Sequence, residues 1–128
     1  MNLGLVMSMM LAMVKIGPSP GKRQEILDIL LSVKGPTLAA PGCRACSIYE
    51  EHGEEQIIAY VELWQSPAEM YRHIRSALYS RILEAMELST RTPEINFHMI
   101  LRTEGMELIE NLRSMPATPL GQAYPPRS

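Results

Sequence analysis

Tyr60, Glu62, Trp64 and His73 bring a phenol, a carboxylate, an indole and an imidazole into one short stretch of the chain. An unperturbed imidazole titrates near 6.5, so His73 is the candidate general base. Glu62 can orient that imidazole or act as the base itself. Trp64 and Tyr60 offer ring faces on which an aromatic ligand can stack. Asn96 and His98 can hold ligand oxygens if their strand presents that face to the same cavity, and Tyr71 and Tyr79 can add to its walls. Each residue also has a purely structural reading. Trp64 can be a core anchor, His73 a surface ion pair with Glu69 one turn earlier, and His98 an interface residue. Tyr71 and Tyr79 can simply complete helix packing, and His52 sits in a turn. Glu62 is the hardest to explain without a role, because a carboxylate on a central strand needs solvent or a partner.

These groups have to be positioned by a strand and the helix after it. Alternation puts Ile57, Ala59, Val61 and Leu63 on one strand face, which reads as core, and Ile58, Tyr60, Glu62 and Trp64 on the other. Ser66, Pro67 and Glu69 then form a helix start: a capping serine, a proline at the first helical position and a Ser-x-x-Glu capping box. A helix that begins two residues after Trp64 folds back over its strand and carries His73 toward the indole.

The chain has 128 residues, 46% hydrophobic content and a net charge of −2. That fits one globular domain, and it lacks the basic character of a nucleic-acid footprint. The apolar N-terminal segment, Leu3 to Val14, is too short to span a bilayer and lacks a basic leader, so no membrane partner is expected and the cytoplasm is the expected compartment. Several methionines near the N-terminus leave the start of translation open. Cys43 and Cys46 form a C-x-x-C on a predicted strand. An i, i+3 pair on a regular strand points to opposite faces, and the two further ligands that zinc requires are missing from the pattern, so two small half-buried thiols are expected.

In order, the sequence predicts a strand over Met9 to Ile16, a helix from Pro20 to Lys34 ended by Gly35-Pro36, and a strand from Cys43 to Glu51. A His52-Gly53 hairpin turn leads to a strand from Glu55 to Trp64. One helix with Met70, Ile74, Leu78, Ile82 and Ala85 on a stripe follows. Strand four runs from Glu94 to Leu101, with Ile95, Phe97, Met99 and Leu101 on one face. Gly105 to Arg113 reads as a short helix with Leu108, Ile109 and Leu112 turned inward. From Ser114 the tail holds four prolines and is expected to be disordered, giving a domain over residues 1–113 and a tail over 114–128. The order β-α-β-β-α-β is the ferredoxin-like split unit, an α+β fold with an antiparallel sheet. Its strands carry apolar residues on both faces, so sheet-to-sheet pairing in a homodimer is expected.

The Pro20-Gly21-Lys22 helix start, the Pro41-Gly42-Cys43 strand start, Glu62-Leu63-Trp64-x-Ser66, and His73 followed by Ser76 come in an order and spacing that resembles the antibiotic biosynthesis monooxygenase domain family, of the dimeric α/β-barrel superfamily. The resemblance covers residues 9 to 101. It implies a dimeric barrel and a small oxygenase that acts on phenols or quinols with molecular oxygen and without flavin, heme or metal. It also implies that Trp64 and His73 lie near the pocket between sheet and helices. Two departures stand out. A second histidine often found a few residues beyond the first is replaced in the region of Leu78 and Tyr79, and Val14 stands where the heme-degrading branch has an asparagine, which disfavours heme. A non-catalytic dimer of the same fold, binding a small apolar ligand or a partner protein, is the alternative; the ten methionines suit an adaptable cavity.

Overall fold

The computed structural model describes residues 8–116. Four strands, β1 (Met9–Ile16), β2 (Cys43–Glu50), β3 (Ile58–Trp64) and β4 (Glu94–Ile100), form one antiparallel sheet in the order β2-β3-β1-β4. Four helices accompany them: α1 (Arg23–Ala39), α2 (Pro67–Arg75), α3 (Tyr79–Glu87) and α4 (Met106–Ser114). This is the ferredoxin-like α+β fold. Much of the predicted tail and the first residues of the apolar N-terminal segment lie outside the described residues.

The core lies between the sheet and α1 to α3. Met10, Ala12, Val14 and Ile16 of β1 pack there with Ile26, Leu30 and Val33 of α1 and Ile82 and Ala85 of α3. On β3 the buried face is Ile58, Tyr60, Glu62 and Trp64, not the purely apolar Ala59, Val61, Leu63 face expected to be core. The physical reason is area. Ile58 and two large rings remove more surface from water than an alanine, a valine and a leucine, and the carboxylate between the rings finds its hydrogen bonds inside. Ala59, Val61 and Leu63 lie instead on the helix-free face of the sheet, half-buried.

Several boundaries moved. Helix α1 runs through Gly35-Pro36 to Ala39. Proline clashes with the Cβ of the residue before it, and glycine has none, so the helix survives the proline; burial of Val33 and Thr37 holds its last turns against the core. The single second helix is two. Ser76 adopts an extended conformation, and both its amide and its hydroxyl donate to the His73 carbonyl, at 3.0 and 2.6 Å, which ends α2. The hairpin between β2 and β3 is longer than His52-Gly53 alone, because β3 pairs only from Ile58. A register shift between Cys43 and Ala45 makes a bulge at Arg44. Cys43 then stands opposite Trp64 and Cys46 opposite Glu62, so the two thiols share the helix-covered face rather than pointing to opposite faces.

Strand β4 is an edge strand. Its Ile95, Phe97 and Met99 stand level with Val14, Ala12 and Met10 on the helix-covered face, yet no helix covers them and they remain exposed. Helix α4 has no buried residue; Leu108, Ile109 and Leu112, expected to face inward, are exposed.

Candidate active site

Glu62 is 2% exposed in the middle of β3. Its neighbours two residues either way lie on the same face, and each donates to it: the Tyr60 hydroxyl to Oε2 at 2.6 Å and the Trp64 indole Nε1 to Oε1 at 2.9 Å. A third partner comes from α2, where His73 Nε2 lies 2.8 Å from Oε2. The Cys46 thiol extends the chain of donors, giving its hydrogen bond to the Tyr60 oxygen at 3.3 Å. Charge-assisted bonds of this kind are the strong ones, and three of them offset much of the cost of burying a carboxylate.

The tautomer of His73 follows from this arrangement. An ionised carboxylate only accepts, so His73 Nε2 carries the proton and donates. In the neutral imidazole Nδ1 then holds the lone pair. The ring is 5% exposed and sits 4.9 Å from the indole of Trp64, tilted by 34°, with the Tyr79 ring edge-on at 5.4 Å. Burial, reinforced by the Glu62 charge, pushes the Tyr79 phenol up to about 12 and raises that of Tyr60 strongly. Burial likewise pushes the Cys46 thiol up to about 11 and raises that of Cys43. These groups stay protonated near neutrality, so the thiols are poor nucleophiles and the phenols act as donors or packing surfaces.

A cavity of about 220 Å³ opens beside this cluster, lined by Pro41, Trp64, Glu69, Arg72, His73 and Leu78 among others. The Ser66 cap fixes where α2 begins, Pro67 stands at its start, and the turn at Ser76 brings Leu78 to the wall. Trp64 and His73 therefore meet at an open cavity, with Glu62 directly behind the imidazole. His73 does not pair with Glu69, the surface alternative; it is buried and bonded to Glu62.

The other sequence candidates sit apart. Tyr60 is enclosed behind Glu62, and Tyr71 is exposed on α2. Asn96 and His98 stand opposite Met13 and Leu11, on the helix-free face of the sheet, so within one chain they do not face the cavity. Sequence reasoning missed Glu69 and Arg72 as cavity residues. The signal was available: Glu69 is four residues and Arg72 one residue before His73 on a helix whose start was legible.

Residues 9–85, more than half of the chain, match the family described as antibiotic biosynthesis monooxygenase. The chain belongs to that family. A Mycobacterium tuberculosis protein, Rv0793, has a similar structure, with a TM-score of 0.69 at 23% identity, covering 77% of this chain and 100% of that one. A conserved protein of Methanosarcina mazei Go1 matches with a TM-score of 0.67 at 25% identity, over 77% of this chain and 98% of that one. An uncharacterized protein of Synechocystis is 24% identical over 86 residues, which make up 66% of this chain and 58% of that relative. The matched segment of the monooxygenase family contains β1 to β3, α2 and most of α3, so it includes Tyr60, Glu62, Trp64, His73 and Tyr79.

Proposed function

We propose that this cavity is the site of a cofactor-independent monooxygenase acting on a small aromatic phenol or quinol. The observation that carries the reading is the Glu62–His73 pair: one ring nitrogen is held by a buried carboxylate at 2.8 Å, and the imidazole lines an open, mainly apolar cavity. His73 Nδ1 takes the phenolic proton, and Glu62 stabilises the imidazolium that results. Trp64 and Leu78 shield the phenolate from water, which favours electron donation to oxygen. The balance closes without an outside reductant. A ring C–H and the O–O bond break, a C–O bond forms, one oxygen atom stays on the ring as a quinone carbonyl, and the other leaves as water with the phenolic and ring hydrogens. The cavity lies below the range of about 300–1,000 Å³ of drug-sized sites, which suits a single substituted ring.

The assembly we infer is a homodimer joined through the helix-free face of the sheet, where Leu11, Met13, Val61 and Leu63 stay half-buried in the single chain. Among the described residues no helix is long and apolar enough to cross a membrane, and a cytoplasmic place is part of the same proposal.

Oxygen uptake with a panel of phenols and hydroquinones, measured with and without a metal chelator, tests the activity. Turnover that persists with chelator is expected. His73→Ala should lower kcat by about 10²–10⁴. An unchanged rate in that variant sinks the base assignment. Saturable binding without oxygen uptake leaves the alternative, a ligand-binding module of the same fold.

A further inference from the structure

The carboxylate behind His73 is shared. Glu62 Oε2 accepts two hydrogen bonds at once, from the Tyr60 hydroxyl at 2.6 Å and from His73 Nε2 at 2.8 Å. Oε1 accepts one, from the Trp64 indole at 2.9 Å. The shortest bond in the cluster therefore belongs to Tyr60, a buried residue that does not line the cavity. From behind, the Cys46 thiol donates to the Tyr60 oxygen at 3.3 Å. Hydrogen bonds in series polarise one another, so this contact makes the hydroxyl a better donor.

A donor on a carboxylate stabilises its ionised form and weakens its pull on other protons. Tyr60 and His73 draw on the same oxygen, so the share the hydroxyl takes is lost to the imidazole. We propose that Tyr60 is a positioning residue of this site: acting through Glu62, it limits how firmly His73 holds a proton taken up at Nδ1. The assignment rests on the reading of His73 as the base. A base that serves in turnover has to release its proton as well as accept it. A carboxylate bonded to His73 alone would favour an imidazolium that keeps it. Cys46, Tyr60, Glu62 and His73 then form one chain of bonds from β2 to the cavity wall, and residues the ligand never touches tune the group it meets.

The other titratable and charged groups around His73 stay as they are when Tyr60 becomes phenylalanine. From α3 the Tyr79 ring meets the imidazole edge-on at 5.4 Å. Glu69 and Arg72 of α2 line the same cavity. From β2 Cys43 stands opposite Trp64, and from α1 the charge of Lys34 reaches Cys46. Tyr60→Phe removes one hydroxyl and keeps the ring.

The test is NMR of the imidazole nitrogens in histidine-labelled protein, titrated through the range in which imidazoles change charge. The His73 signals are those missing from His73→Gln, and His52, exposed between β2 and β3, is the internal reference. In Tyr60→Phe the His73 midpoint is expected to rise by about 0.5–1 pH unit while that of His52 stays in place. A midpoint that stays or falls in the folded variant overturns the proposal, because a tyrosine that only fills core space would cost stability and leave the titration alone. If Tyr60→Phe does not fold, Cys46→Ala is read in its place. It weakens the same hydroxyl from behind, so a smaller rise of about 0.2–0.5 unit is expected, and no rise overturns the proposal. The measurement needs no substrate. A rise in a chain that takes up no oxygen keeps the Tyr60 assignment and rejects only the monooxygenase reading. Turnover with an unmoved midpoint does the reverse.

Discussion

At the scale of single residues, Glu62 decides both how the site is built and how stable the core is. Its two oxygens satisfy the Tyr60 hydroxyl, the Trp64 indole N–H and the His73 imidazole together. Glu62→Ala strands all three donors in the interior, and a loss of about 3–5 kcal/mol is expected from urea unfolding. Glu62→Gln keeps one acceptor but turns an amide N–H toward a donor, so its loss should be smaller, about 1–3 kcal/mol. If Glu62→Ala unfolds at the same urea concentration as the parent, the buried network is not what holds β3 to α2. The strand alternation that puts Tyr60, Glu62 and Trp64 on one face was legible in the sequence. That this face turns inward was not, because a purely apolar alternative lay on the other side of the same strand.

At the scale of elements, the junction of the β2 start with α2 sets the shape of the cavity. Gly42 has a φ of +85° and lies under the Glu69 carboxylate, and its carbonyl accepts from the Gln65 amide at 2.8 Å just before α2 begins. Any side chain there meets both backbone strain and direct overlap. Gly42→Ala is expected to cost about 1–3 kcal/mol. In the Gly42→Ala/Glu69→Ala double variant the overlap with the carboxylate disappears, leaving the strain and a 2.9 Å approach to the Glu69 Cβ position, so the two losses should fall short of additive in denaturant titrations. Strictly additive losses would show that the two residues do not press on each other. The helix start at Ser66-Pro67 was readable from local chemistry. The break at Ser76 was not, because the apolar stripe from Met70 to Ala85 continues through it and only the serine's bonds to the His73 carbonyl interrupt the backbone.

At the scale of the whole molecule, one chain leaves apolar surface on both sides of its sheet. Leu11, Met13, Val61 and Leu63 line the helix-free face, while Ile95, Phe97 and Met99 extend uncovered beyond the helices. Surface of this kind marks an interaction site. Sedimentation equilibrium is expected to give twice the chain mass of 14.4 kDa. A lysine in place of Val61, at the centre of the helix-free face, should shift the equilibrium toward the single chain. A monomer at every concentration tested would rule out the sheet-to-sheet assembly.

The sequence by itself determined the order of the strands, the start of α2 and the alternation along β3, because each depends on neighbours within a few residues: a capping serine, a proline at the first helical position, a two-residue period. Tertiary structure decided which face of β3 is interior, that a bulge at Arg44 sets both thiols on that face, and that the Glu69 carboxylate lies against Gly42. Those outcomes depend on which groups from distant parts of the chain can satisfy a buried carboxylate and fill the space beside two large rings. A local pattern carries no record of that competition.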